Sequence, residues 1–188
     1  MLALINGAPG SGKSTLARLL VDERPLALLL DIDTLRGQLG RWSGDPAAAG
    51  MAARLLALAM VRTHLEAGCD VVIPQFLFRL PFILDLERVT YEAGGRFVEV
   101  ALVSNPEEAA SRFAARMGSF DPNHQDAARL QQAPEAQSIE ELYVAMIEML
   151  RDRPGTVFVE SVPGDLEATF VALNQAVLEH ASDQSSQG

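Results

Sequence analysis

Eight residues near the amino end, Gly7-Ala8-Pro9-Gly10-Ser11-Gly12-Lys13-Ser14, constrain this chain more than any others. They match the pattern G-x-x-x-x-G-K-[ST] at every fixed position. The apolar run at residues 2–6 reads as a strand. Residues 14–23, with Leu16, Leu19 and Leu20 at helical spacing, read as a helix. Between such elements, main-chain N–H groups can converge on the oxygens of a polyphosphate. Side chains at Gly7, Gly10 and Gly12 would obstruct that wrap, and glycine removes them. The start of the helix adds partial positive charge. Lys13 can reach the outer phosphates, and the hydroxyl of Ser14 can ligate Mg²⁺. Gly7, Ala8, Pro9, Gly10, Ser11, Gly12, Lys13, Ser14 and Thr15 are thus the candidate nucleotide-binding residues, and Thr15, one step beyond the motif, reads as structural. The plain alternative is a glycine-rich turn with no ligand, which gives no reason for the lysine and serine.

The rest of the chain repeats the strand–helix alternation. Strands are expected at 26–33, 70–74, 96–103 and 156–160. Helices are expected around 46–67 and at 81–95, 106–118, 138–153 and 164–180. The helix at 138–153 opens with Ser-x-x-Glu, a capping-box pattern. Five strands alternating with helices predict an α/β fold: a five-stranded parallel sheet sandwiched by helices, the P-loop NTPase architecture, with a small helical lid. The expected domain spans 1–181, with the lid at about 106–137, where the sequence turns polar and irregular, and a polar tail at 182–188.

Composition narrows the function. The chain has 188 residues, 48% of them hydrophobic, and a formal charge of −10. Nonspecific polynucleotide binding rests on Lys and Arg neutralising phosphates, so this charge argues against nucleic acid as the main partner. Residues 46–68 form the most apolar long stretch. Arg54 and Arg62 interrupt it, so it reads as a buried helix and not a membrane span. Cys69 stands alone, and no export leader is evident; a reducing cytoplasm is the expected compartment. His64, His124 and His180 show no metal-ligand spacing.

The second strand runs into "LDIDTLRGQLGRW", and ligands of parallel sheets bind at the carboxyl ends of strands. Asp31 and Asp33 would point to opposite sides if the strand continued. Two readings stand for Asp33: a base that accepts the proton of a substrate hydroxyl, or the N-cap of a helix beginning at Thr34. Asp31 is a second-choice base or a ligand to a Mg²⁺-bound water. Beyond the third strand, Gln75 stands where many phosphate-binding-loop proteins carry an acid. Mg²⁺ would then rely on Ser14, phosphate oxygens and water. Asp70 lies at the wrong end of that strand. The acceptor pocket is expected between Asp33, residues 36–42 and residues 75–79, with Asp31, Arg36, Trp42, Gln75 and Arg79 as candidate substrate contacts. Phe76 and Phe78 read as core, and the loop at 161–165 is a candidate for the base side of the nucleotide. Arg112 and Arg116 are four apart on one expected helix and share a face. They could clamp migrating phosphate charge, or be solvated arginines pairing with Glu107 or Glu108.

"GAPGSGKST" followed by "LLLDIDTLR" resembles the zeta-toxin, chloramphenicol-phosphotransferase and gluconate-kinase group of small P-loop kinases. The resemblance implies that Asp33 is the general base. "SNPEEAASRFAARMGSF" resembles that group's lid segment, matched by Arg112, Arg116, Gly118 and Phe120. The expectation is an ATP-dependent phosphotransferase using Mg²⁺ and acting on a hydroxyl of a small molecule. Its catalytic residues would be Lys13, Asp33, Arg112 and Arg116, and Ser14 would hold the metal. A kinase of polynucleotide 5′-hydroxyls and a nucleotide-binding regulator without turnover are the alternatives. The missing acid at Gln75 is the best support for the regulator.

Overall fold

A computed structural model describes residues 1–104, 138–162 and 164–183. Five parallel strands form one sheet: β1 (Leu2–Gly7), β2 (Leu28–Leu29), β3 (Val71–Gln75), β4 (Phe97–Val103) and β5 (Thr156–Glu160), in the order β2-β3-β1-β4-β5. Their register is continuous across the centre, with Leu2 beside both Val71 and Phe97 and Asn6 beside Gln75. Helices α1 (Lys13–Asp22), α2 (Ile32–Gly37), α3 (Pro46–Glu66), α4 (Leu80–Glu92), α5 (Ile139–Arg151) and α6 (Leu166–Asp183) complete the described elements, with a short 3₁₀ turn at Trp42–Gly44.

Both faces of the sheet are covered, which is why the strands read as unbroken apolar runs. Leu2, Leu4, Val71, Ile73, Phe97 and Ala101 pack with α3, α4 and α5. Ala3, Ile5, Val72, Val98, Val100 and Leu102 pack with α1 and α6. Successive residues alternate between the two cores, as the twofold period of a strand requires. The order changes direction at β1: the chain leaves it for β2 and β3 on one side, then crosses to β4 and β5 on the other. Ligand crevices in open parallel sheets form at such a switch point, outside the carboxyl ends of the strands.

The sequence expectations fail in two places. The strand expected over 26–33 is only Leu28–Leu29. Leu26 turns at a left-handed φ of 57° with its side chain 80% exposed, and the Asp31 side chain starts α2 two residues after the strand ends. A local apolar run could not reveal this, because both ends are set by turn and cap. Helix α3 is also not buried on all sides. Ala49, Ala53, Ala57, Val61 and Leu65 form its buried row, spaced four apart, while Met51, Leu55, Leu56 and Met60 are exposed. The small alanines let the helix sit close, and the larger apolar side chains fall outside that contact. The capping box of α5 forms as expected: Glu141 N donates to Ser138 Oγ (3.1 Å) and Ser138 N to Glu141 Oε2 (2.8 Å). The helix expected at 106–118 and the lid lie outside the described residues.

Candidate active site

Gly7 ends β1 in contact too close for any side chain. A Cβ there would meet Ser11 Oγ at 2.9 Å and Leu102 Cβ at 3.2 Å. The turn that follows uses left-handed φ values at Gly10 (87°) and Gly12 (86°), conformations that cost other residues strain. Ser11 N donates to Ala8 O (3.1 Å), and Lys13 Nζ folds back to the same carbonyl (3.3 Å). Lys13 is the first residue of the ten-residue α1, and Gly12 is its N-cap with no side-chain cap bond, so main-chain donors of the first turn remain for another acceptor. Ser14 and Thr15 are exposed. Ser11 Oγ is buried with no hydrogen-bond partner. A loop whose tight positions only glycine fits, an orphaned hydroxyl inside it and an exposed serine at the start of α1 fit a polyphosphate with a hydrated divalent cation.

Beside this loop opens a cleft of about 440 Å³, lined on the far side by Ser161, Val162, Leu166 and Thr169. This is the loop that the sequence suggested for the base of a nucleotide. Its shape is fixed locally: Val162 N donates to Thr169 Oγ1 (3.0 Å), which donates to Asp165 O (2.9 Å), and the Asp165 carboxylate accepts from Ala168 N (2.9 Å) at the start of α6. Val162 and Leu166 keep 42% of their surface exposed, an apolar platform next to the glycines.

A second cleft, about 80 Å³, lies at the ends of β2 and β3 and is lined by Asp33, Arg36, Gly50, Arg54, Gln75 and Phe82, among others. Asp33 and Gln75, 42 residues apart, meet here: Gln75 Nε2 donates to Asp33 Oδ2 (3.1 Å). A carboxylate only accepts, so this bond fixes which end of the amide faces it. Gln75 Oε1 is buried without a partner. Arg36 lies 3.9 Å from Asp33 Oδ1, and its guanidinium stacks 5.0 Å above Trp42. The capping role weighed for Asp33 belongs to Asp31, whose Oδ1 accepts from Thr34 N (3.0 Å); Asp33 sits in the first turn of α2 with its side chain exposed.

Trp42 reaches the cleft only through Arg36. Arg79 is exposed at the N-cap of α4, 5.6 Å over Phe78, and does not line the cleft. Phe76 lines it, and both Phe76 and Phe78 pack against the core at a ring separation of 5.6 Å. Arg112 and Arg116 lie outside the described residues. Asp70 stands at the opposite end of β3, against the Met1 amino group (2.5 Å).

Sequence reasoning missed three residues. Asn6, fully buried in β1, donates to Leu77 O and accepts from Leu77 N, both at 2.9 Å. It ties the segment carrying Gln75 to the strand that carries the phosphate loop; one polar residue in an apolar strand was the available signal. Arg54 and Gly50, one turn apart on α3, line the second cleft. Nothing in a helical run marks which of its faces meets a ligand. Among the described residues, no group of three or more His, Cys, Asp or Glu could hold a metal ion, and no helix is long and apolar enough to cross a membrane.

A family model described as an AAA domain matches residues 2–138. No curated protein sequence matches the chain. Several solved structures share its fold. A gluconokinase from Sinorhizobium meliloti 1021 is 18% identical, with 99% of this chain and 96% of that one covered at a TM-score of 0.64. Kti12 from Chaetomium thermophilum, in complex with ADP-AlF3, is 18% identical, covering 97% and 100% at 0.61. A chain of the Pnkp1/Rnl/Hen1 RNA repair complex is 20% identical, covering 82% of this chain and 46% of that one at 0.61. The five-stranded parallel sheet with its glycine loop is a P-loop NTPase-like fold.

Proposed function

The chain belongs to the AAA-domain family, and from that premise we propose that it is an ATP-dependent phosphotransferase acting on a hydroxyl of a small molecule. One observation carries this reading. The hydrogen-bonded Asp33–Gln75 pair lines a cleft at the end of β3, the strand that pairs with β1 and so neighbours the phosphate loop. A nucleotide-holding loop alone would need no such second cleft with a carboxylate in it.

In this reading main-chain N–H groups of residues 10–13 and the Lys13 side chain hold the β- and γ-phosphates, and the nucleobase lies toward Val162 and Leu166. The Ser14 hydroxyl would hold Mg²⁺, which would supply charge neutralisation on the phosphates. Asp33 accepts the proton of the substrate hydroxyl as its oxygen forms a bond to the γ-phosphorus. The bond from that phosphorus to the β-bridging oxygen breaks, and ADP leaves with the electron pair. Gln75 holds the Asp33 carboxylate in place through Oδ2. Arg112 and Arg116 are assigned by the sequence to the migrating charge. The resemblance to the zeta-toxin, chloramphenicol-phosphotransferase and gluconate-kinase group supports the same roles. The expected compartment is the cytoplasm.

The test is an acceptor screen with ATP and Mg²⁺ on the wild type and Asp33→Asn. The variant should bind ATP as the wild type does and transfer phosphate roughly 10²–10⁴-fold more slowly, the usual contribution of a positioned base. Wild-type transfer rates in Asp33→Asn would remove the base assignment. ATP binding with transfer to no acceptor and not to water would favour the regulator.

A further inference from the structure

We propose that the pocket between α4 and the turn from α5 into β5 binds a small organic cation, a primary ammonium on an apolar body, through Glu99, Glu87 and Asp152. The pocket holds about 350 Å³, a volume suited to a small molecule. Helix α4 supplies Leu80, Glu87 and Tyr91 to its wall, β4 supplies Phe97 and Glu99, and the turn supplies residues 152–155. Among the described residues, none lines both this pocket and either of the two clefts at the carboxyl ends of the strands. The phosphotransferase reading uses no residue of this pocket, and the inference does not depend on that reading.

An unmet acceptor carries the argument. Glu99 is 2% exposed and lines the pocket. Arg153 Nε (2.6 Å) and Thr156 Oγ1 (2.8 Å) both donate to its Oε2. Its Oε1 is buried with no hydrogen-bond partner. Arg153 turns Nη2 to Glu87 Oε2 (3.0 Å) instead. A carboxylate oxygen can only accept, and leaving one buried and unmet is costly. The missing partner is therefore a donor, and the pocket is where it can come from.

Charge selects the kind of donor. Three carboxylates, Glu87, Glu99 and Asp152, stand against one guanidinium in this pocket, in a chain with a net charge of −10. That field favours a cation over a neutral or anionic occupant. A bare divalent ion is poorly served. Among the described residues no group of three or more His, Cys, Asp or Glu could hold a metal ion, and the Arg153 guanidinium bridges Glu87 and Glu99. An ammonium needs no such convergence, because each N–H seeks its own acceptor. Leu80, Tyr91, Phe97 and Pro154 make much of the remaining wall apolar or aromatic. A hydrocarbon body would cover that wall, and an inorganic cation would leave it unused.

The experiment is calorimetry on the full chain at neutral pH, with and without ATP and Mg²⁺. The probes are 2-phenylethylamine, the matching alcohol, the N,N,N-trimethylated ammonium, Mg²⁺ alone and a short lysine peptide. The amine should bind about tenfold or more tightly than the alcohol, which lacks the charge, and than the trimethylated cation, which lacks the N–H. Saturating ATP should leave its affinity within about twofold, as a separate site requires. Glu99→Gln keeps an oxygen for Arg153 and Thr156 but can set an amide donor where Oε1 stood; it should weaken the amine about tenfold or more. Asp152→Asn, on the exposed turn, should weaken it a few-fold without moving the melting temperature. Should Glu99→Gln fail to fold, Gly155→Phe decides. Gly155 lines the pocket without a left-handed φ, and a Cβ there would meet nothing within 4 Å. The added ring should abolish amine binding and leave ATP affinity unchanged. The proposal is overturned by no heat from the amine, by the alcohol or the trimethylated cation binding as well, or by displacement with ATP or Mg²⁺. Gly155→Phe binding the amine like the wild type overturns it too. A lysine peptide that binds about tenfold tighter than the amine would replace the small molecule with a protein segment as occupant. No readout here involves phosphate transfer, so failure leaves the phosphotransferase reading standing.

Discussion

At the amino ends of β3, β4 and β5, charged side chains meet partners inside the protein; at the carboxyl ends, several polar atoms meet none. Glu99, 2% exposed, takes Arg153 Nε (2.6 Å) and Thr156 Oγ1 (2.8 Å) on one oxygen, and Arg153 continues to Glu87 (3.0 Å). Burial works against the Arg153 charge, but the hydrogen bonds it donates to Glu99 and Glu87, with their negative charge, outweigh it and hold its pKa above the usual arginine value. At the other end, Ser11 Oγ, Gln75 Oε1 and Ser104 Oγ are buried without partners. The amino end has one such atom among the described residues, Glu99 Oε1. The charges at one end close on each other and tie helices to the sheet. The polar groups at the other end are held in place and left unmet, which is what a binding site requires.

The sharpest break of this comparison comes from Arg153→Met. It strands Glu99 in the core and should cost about 3 kcal/mol of stability, the low end for breaking a buried pair because Arg153 is partly reached by solvent. Urea unfolding measures the loss, and nucleotide affinity should not follow it. Asn6→Ala is next: it leaves the Leu77 N–H and C=O without their partner and should cost roughly 2–3 kcal/mol. Because Asn6 ties Gln75 to β1, this variant should also raise the acceptor's KM, the one case where both ends of the comparison respond together. Lys13→Ala belongs wholly to the carboxyl end. It should weaken ATP binding by about 2 kcal/mol, the scale of a charge-assisted hydrogen bond, and leave urea unfolding unchanged. A fall in stability instead would mean that Lys13 works for the fold and not for a ligand.

The smallest effect lies on the outer surface. Hydrogen bonding from Arg88 (3.0 Å), with help from Arg62 (2.5 Å), holds Glu92 below the ordinary glutamate range. A depressed carboxylate contributes stability above its unfolded pKa and loses it as pH falls through the folded value. Its contribution should therefore vanish in acid, and it is small because all three side chains are exposed. Arg88→Ala should move the Glu92 titration, followed by NMR, up toward the ordinary range with little change in melting temperature. A shift as large as the Arg153 variant's stability loss would break the distinction between interior and surface pairs.

How far the sequence could be read follows how far apart the partners lie along it. The glycine loop between β1 and α1 was legible in its strand–turn–helix course, since Gly7, Gly12, Lys13 and Ser14 are neighbours in the chain and the turn depends on their local backbone. The strands of the sheet centre were placed to within a residue or two, because burial on both faces leaves long apolar runs. The start of α2 was misread: the cap is Asp31, and a run of leucines conceals where β2 stops. The direction of α3 toward the cleft was not readable at all, because its apolar residues do not single out one face and its buried row is mostly alanine.

The amino-acid sequence by itself thus determined the alternating architecture and the loop at the end of β1, because both rest on spacing within one element and on the φ angles that glycine alone takes without strain. Only the tertiary structure decided which residues share the second cleft. Asp33 reaches Gln75 across 42 positions, and Asn6 reaches Leu77 across 71. Arg54 and Gly50 enter from a helix that carries no motif. Those meetings are fixed by strand order and helix packing, and no local pattern encodes either one.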